Sequence, residues 1–208
     1  VGADIYCDSA LICRLIDRVY PADSVYPADQ AAALGAAAHW TDTFLFKVSV
    51  AVAFQPKALA GSDLFSDQAA AAAFMADRAE LSKGSTELGI DLKIAVPYWT
   101  MHMQRLDAQL STADFLGGDQ PNVLDFSTYH CCWFVYKNEA LKPELEQFPA
   151  LAQWMLRIAG FGHGEIVSIN GEEAVAIARD SDIATAPKAT DFVDEQLSVG
   201  TSVDVMPI

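Results

Sequence analysis

The chain has 208 residues, 52% of them hydrophobic, and its 13 Lys and Arg against 28 Asp and Glu give a formal net charge of −15. That length and apolar content suffice for one large domain or two small ones with a buried core. The acid excess excludes recognition of a nucleic-acid backbone, which needs clustered basic side chains. No apolar run reaches the roughly eighteen residues of a membrane span, since the longest Ala-rich stretch, "AAALGAAAHW", is interrupted by Gly35, His39 and Trp40. The expectation is a soluble protein that engages neither nucleic acid nor membrane.

In chain order, "GADIYCDSALICRLIDRVYP" opens on an extended "DIYC" and then sets Asp8 and Ser9 before an amphipathic run. Leu11, Ile12, Leu15, Ile16 and Val19 share one helical face, and Arg14, Asp17 and Arg18 the other. Asp8 or Ser9 is placed to cap that helix. "PADSVYP", bracketed by Pro21 and Pro27, reads as a connector between units. A second helix is expected from about Ala28 to Phe54, with Pro56 stopping it. Ser66 precedes an Ala-rich helix closed by Gly84, with Lys83 in its last turn. Another helix covers Asp91 to Leu110, with Pro97 in its first turns as a place to kink.

"FLGGDQPN" is a turn, and behind it "NVLDFSTYHCCWFVYK" is apolar on most sides, which predicts a central helix. Pro149 introduces an amphipathic helix carrying Leu151, Trp154, Met155 and Ile158. "NGEEAVAIARDSD" predicts one more helix. "LSVGTSVDVMPI" alternates Val199, Val203 and Val205 with polar residues, as a strand would. Both ends of the chain read as cuts through structural units.

Local constellations offer little chemistry by themselves. Cys7, Cys13, Cys131 and Cys132 show no C-x-x-C spacing, and adjacent cysteines strain disulfide geometry. They are expected to be reduced thiols packed in the core of a cytoplasmic protein. In "YHCCW", His130 and Cys131 project about a hundred degrees apart on a helix, and no second pair completes a tetrahedron, so no metal is expected. "GFGHG" lacks the Lys-Ser/Thr pair of a phosphate loop and follows a helix, so it reads as a cap and turn with His163 at the surface or a hinge. His39 and His102 have no Ser or Cys partner in sequence, which leaves a hydrolase triad unsupported.

The order of these pieces resembles the glutathione S-transferase superfamily. There a thioredoxin-like domain ends in a strand, an acidic residue plus Ser, and a helix finishing near "YP", as in "GADIYCDSALICRLIDRVYP". "DAQLSTADFLGGDQPNVLDFSTYHCCWF" and "FPALAQWMLRIAGFGHG" are similar to the all-helical second domain of that family, and the likeness spans roughly residues 1 to 180. It implies a mainly α architecture. Residues 1–21 would end the thioredoxin-like domain, 22–27 form a linker, 28–182 the helical bundle, and 183–208 a truncated, strand-bearing extension.

On that resemblance, Asp8 and Ser9 correspond to the acidic-Ser pair that holds the γ-glutamyl end of glutathione. The chemistry is consistent: a Ser hydroxyl and free N–H groups at a helix start suit a carboxylate, and Asp8 can accept from an ammonium. Plain capping of the helix stands beside that reading. Asn122 and Asp125 resemble the family's helix-start box, with Asn in place of Ser or Thr but still an acceptor, and serve the fold rather than the chemistry.

The family's long helices line a pocket for an apolar electrophile, for which Phe44 and Tyr98 are the candidates. Trp40, Phe46, Trp99 and Met103 are expected in core or dimer packing. The family's thiol-activating Tyr, Ser or Cys falls in a region that would precede Val1, so no residue here is assigned as catalytic and the chain alone is expected to be inactive. The implied activity of the intact protein is glutathione conjugation or a related glutathione-dependent reaction, with glutathione as substrate, no metal, and a homodimeric assembly. A non-catalytic binding or interaction module on the same fold is the alternative, to be separated by the sequence upstream of Val1.

Overall fold

Asp8 opens the first helix, α1 (Ser9–Val19), its carboxylate accepting from the N–H groups of Ala10 and Leu11 at 2.8 and 3.3 Å. Asp8, not Ser9, is therefore the cap, because its side chain reaches the second and third N–H of the turn. The computed structural model describes residues 3, 6–60, 67–81, 83, 90–182 and 202. Among these the chain is mainly helical, with a lone bridge between Phe115 and Gly118 in place of any sheet. Of the extended "DIYC", Asp4 and Ile5 lie outside the described residues. So does the strand expected near the C-terminus, Ser202 excepted.

After a single 3₁₀ turn, Pro21–Asp23, the long second helix starts at Ala31 rather than near Ala28. It runs as α2 (Ala31–Trp40), a π-helical turn (Thr41–Leu45) and α3 (Phe46–Ala53) without interruption. The π turn absorbs one more residue than an α turn. Around it the Thr43 hydroxyl donates to the His39 carbonyl at 2.7 Å, and the Cys131 thiol to that of Thr41 at 3.7 Å. The course stops at Ala53, before Pro56 as expected, and Pro56 itself begins a separate short helix, α4 (Pro56–Ala60), since its fixed φ suits a first turn. Asp67 caps α5 (Gln68–Leu81), accepting from Ala69 and Ala70, whereas Ser66 and Gly84 lie outside the described residues.

Pro97 is carried inside a continuous α6 (Leu92–Leu110), begun by Asp91. There follow α7 (Val123–Tyr136), α8 (Lys142–Glu146), α9 (Pro149–Ala159) and α10 (Gly171–Asp180). The central helix α7 packs against α2, α3, α8 and α9, while α6 packs against α3 and α9. All four apolar residues expected to face inward from α9 are buried. With Trp99 and Met103 of α6 they make one core, each large side chain contributing about 1.5–3 kcal/mol by leaving water. Asp107 of α6 ties α9 in place by accepting from the Ala150 and Leu151 N–H groups at 2.7 and 3.0 Å.

The cysteines divide. Cys131 and Cys132 are buried in the core as expected, but Cys7 is exposed and Cys13 only partly covered. The core role fails for Cys7 because no described element packs over the start of α1, whose own residues are all at least partly exposed. The glycine turn after α9 takes its expected form, with φ of 64° at Gly162 and 62° at Gly164 and His163 exposed between them. No helix among the described residues is long and apolar enough to cross a membrane.

Candidate functional site

The start of α1 holds an unusual backbone. Asp8 sits at φ 76°, ψ 119°, and it is the one non-glycine at positive φ among the described residues. Such geometry costs about 1–3 kcal/mol and persists where the surroundings over-determine it, commonly at functional sites. Its Oδ1 takes both N–H bonds of the cap, while Oδ2 and the exposed Ser9 hydroxyl have no hydrogen bond among the described residues. The cap thus uses two of the N–H groups that a bound carboxylate would want. What remains open is the Ser9 N–H and hydroxyl for an anion, and Asp8 Oδ2 for a cation.

Asp42, on the π turn, is near enough to Asp8 for the two charges to be felt. Its Oδ2 accepts from the Ser127 hydroxyl of α7 at 3.2 Å. Shielding from solvent pushes its carboxyl above the usual range and the charge of Asp8 adds to that. The Ser127 bond and the nearby His130 and His39 pull the other way. Sequence reasoning missed Asp42, and no local signal marks it, because its partner lies 85 residues away.

Phe44 and Tyr98, taken from separate segments of the sequence, meet edge to face with ring centroids 5.2 Å apart. Trp40 joins at 5.8 Å from Phe44, and His102 at 5.0 Å from Trp40. Phe44 keeps 37% of its surface exposed, so this aromatic cluster is open on one side. Burial first, and the Arg105 charge second, hold the His102 imidazole below its usual pKa, which leaves it neutral at pH 7. Trp99 and Met103 instead lie fully in the core. Phe46, two residues beyond Phe44, turns away to His130 and Phe134, at 5.8 and 6.0 Å.

Asn122 and Asp125 form the expected reciprocal cap of α7: Asn122 Oδ1 accepts from the Leu124 N–H at 3.0 Å, and Asp125 Oδ2 from the Asn122 N–H at 3.0 Å. Asp125 does more than the box requires. Its Oδ2 also accepts from Asn122 Nδ2 at 2.7 Å, and its Oδ1 from the Leu116 N–H and Trp154 Nε1 at 2.8 and 2.9 Å. Burial pushes the Asp125 carboxyl up, against the pull of those donors toward the charged form. The approach is close enough that a Cβ on Gly117 would fall 2.5 Å from Asn122 Nδ2. Among the described residues no three His, Cys, Asp or Glu side chains are placed to hold a metal ion. An open groove along α10, lined by Ile169, Glu173 and Ile177, contains none of the residues above.

Residues 91–160, from α6 to the end of α9, match the family model described as glutathione S-transferase, C-terminal domain. Among solved structures, the chain is similar to a GST-like protein from Pseudomonas syringae, with 30% sequence identity and a TM-score of 0.71. That similarity covers 94% of this chain and 60% of the other, so the chain spans about three fifths of its relative's length. Comparison with curated proteins gives no match. The α6–α9 bundle thus matches the glutathione S-transferase C-terminal domain, and the mainly helical chain is similar over most of its length to a GST-like protein.

Proposed function

We propose that the full-length protein carries out glutathione-dependent transfer, with this chain supplying part of the glutathione site and the wall of the electrophile pocket. The observation that carries the reading is the α1 cap, where, among the described residues, a strained Asp8 with one oxygen unused stands beside an unbonded Ser9 hydroxyl. The γ-glutamyl ammonium donates to Asp8 Oδ2, and its carboxylate accepts from the Ser9 N–H and hydroxyl. An apolar electrophile lies against Phe44 and Tyr98. The glutathione thiolate attacks it, forming the S–C bond as the leaving group departs with the electron pair. Glutathione is a substrate in this scheme, the assembly is a homodimer, and the setting is the cytoplasm.

Calorimetric titration of the full-length protein with glutathione tests the reading. Ser9→Ala is expected to weaken binding by about 1–3 kcal/mol, or roughly 5- to 150-fold in Kd. An unchanged dissociation constant would leave Ser9 as an ordinary first-turn residue and remove the site.

A further inference from the structure

We propose that Asp17 is the positioning residue of the joint between α1 and the helical bundle. It sets how far the Asp8–Ser9 pair stands from the Phe44–Tyr98 cluster. The functional consequence rests on the transferase reading above, whereas the joint itself does not.

The apolar stripe of α1 does not hold it to the bundle. Leu11 and Ile16 keep about half of their surface exposed, and no α1 residue is buried. The attachment is polar and runs through the connector. Asp17 Oδ1 accepts from the Val25 N–H at 2.8 Å, in a partly buried setting. The Val25 carbonyl in turn accepts from the Val123 N–H, at the first residue of α7, at 2.9 Å. Both backbone groups of Val25 are therefore engaged, one by each unit. Val25 and Tyr26 also pack on Leu34, Ala38 and Val123, and the Arg14 guanidinium lies 4.7 Å over the Tyr26 ring.

Asp17 is the link in this chain whose loss matters most. A charge-assisted bond to an N–H shielded from water is stronger than a neutral one, and an exposed cation–π contact contributes less. The geometry amplifies any slack. Asp8 and Asp17 lie nine residues apart on one helix, about 14 Å along its axis, so a tilt of roughly 20° at the joint swings the cap by about 5 Å. Such a swing would break the alignment of a thiol held at the cap with an electrophile held on the bundle.

The test uses the full-length protein with Asp17→Ala and Asp17→Asn, the second of which keeps the acceptor oxygen. Hydrogen exchange and steady-state kinetics with glutathione are read together. Asp17→Ala is expected to speed exchange over residues 9–26 by about tenfold while α6 and α9 stay protected. It is also expected to raise KM for glutathione and lower kcat several-fold, and Asp17→Asn to restore most of both. Unchanged exchange in Asp17→Ala, or an Asn variant as loose as the Ala variant, would overturn the joint. Loosened exchange with unaltered kinetics in an active enzyme would overturn the positioning role. Loosened exchange in a protein that binds no glutathione would leave the joint standing and sink the transferase reading instead. Should Asp17→Ala lose protection throughout α6 and α9, Asp17→Glu, which shifts the carboxylate by one methylene, takes its place under the same criteria.

Discussion

The first turns of α1 and α7 invite comparison, because each is capped by a short polar side chain with an Asp carboxylate at the centre. At α7 the carboxylate of Asp125 is buried and takes four bonds, from Asn122 twice, Leu116 and Trp154. At α1 the carboxylate of Asp8 is exposed and takes two bonds on one oxygen, with the other bare among the described residues. The first is a hub that gathers three segments, with no acceptor capacity left for a ligand. The second spends backbone strain to hold an oxygen and a hydroxyl open. Sequence alone makes the two look alike; occupancy of the lone pairs separates them.

The largest effect that would break this comparison is at the hub. Asp125→Ala strands the Leu116 N–H and the Trp154 Nε1–H in the core and is expected to cost about 4 kcal/mol. The surviving fold should retain the glutathione affinity of the parent. A loss no larger than the roughly 1 kcal/mol of a missing helix cap would show that Asp125 is only a cap, and melting equal to that of the parent would remove even that role. Gly117→Ala comes next, at about 1–3 kcal/mol by chemical denaturation, because the new methyl meets the buried Asn122 amide. Full stability there would mean that the hub relaxes as freely as a surface cap.

At the other helix start the prediction has two signs. Asp8→Gly relieves the positive φ while removing the cap, so stability should change by less than about 1 kcal/mol. Glutathione binding should nevertheless fall sharply. Retained affinity in a titration would make the α1 cap as purely structural as that of α7.

The smallest effects sharpen the contrast between covered and open surface. At neutral pH a thiol-reactive dye should modify Cys7 quickly and Cys13 more slowly, and reach Cys131 and Cys132 only on unfolding. Burial, and then the Asp42 charge, push the Cys131 thiol up to about 12. Its folded pKa lies above the unfolded value of about 8.5, so its contribution to stability is complete below that value and is lost as pH rises through 12. Denaturant titrations from pH 8 to 11 should therefore show a decline that Cys131→Ala flattens; parallel curves would place the thiol in contact with solvent.

Features set by residues close in sequence were legible from the chain itself. The α9 face of Leu151, Trp154, Met155 and Ile158 follows from spacing, and the Asn122–Asp125 box from two side chains three residues apart. The pairing of Phe44 with Tyr98 is of another kind. The family likeness pointed to both, but only packing of α2–α3 on α6 brings the rings together. The remainder depends on partners that no local pattern encodes. Trp154 reaches Asp125 across 29 residues, and Ser127 reaches Asp42 across 85. Pro56 marks the end of the second helix as expected, but α4 starting on it was not legible, because a proline that ends one helix is equally suited to start another. The π turn left no trace because the residues on both sides of it are helical.

That turn has one more consequence. A π turn is an α-helix that has accommodated an insertion, taking up the extra residue inside the turn so that the helix on either side keeps its phase. Deleting one residue within 41–45 would return the segment to α geometry with α2 and α3 still aligned, so the Asp8–Ser9 cap and the bundle would keep their relation while the side chains of the turn itself, Asp42 and Phe44 among them, would be re-aimed.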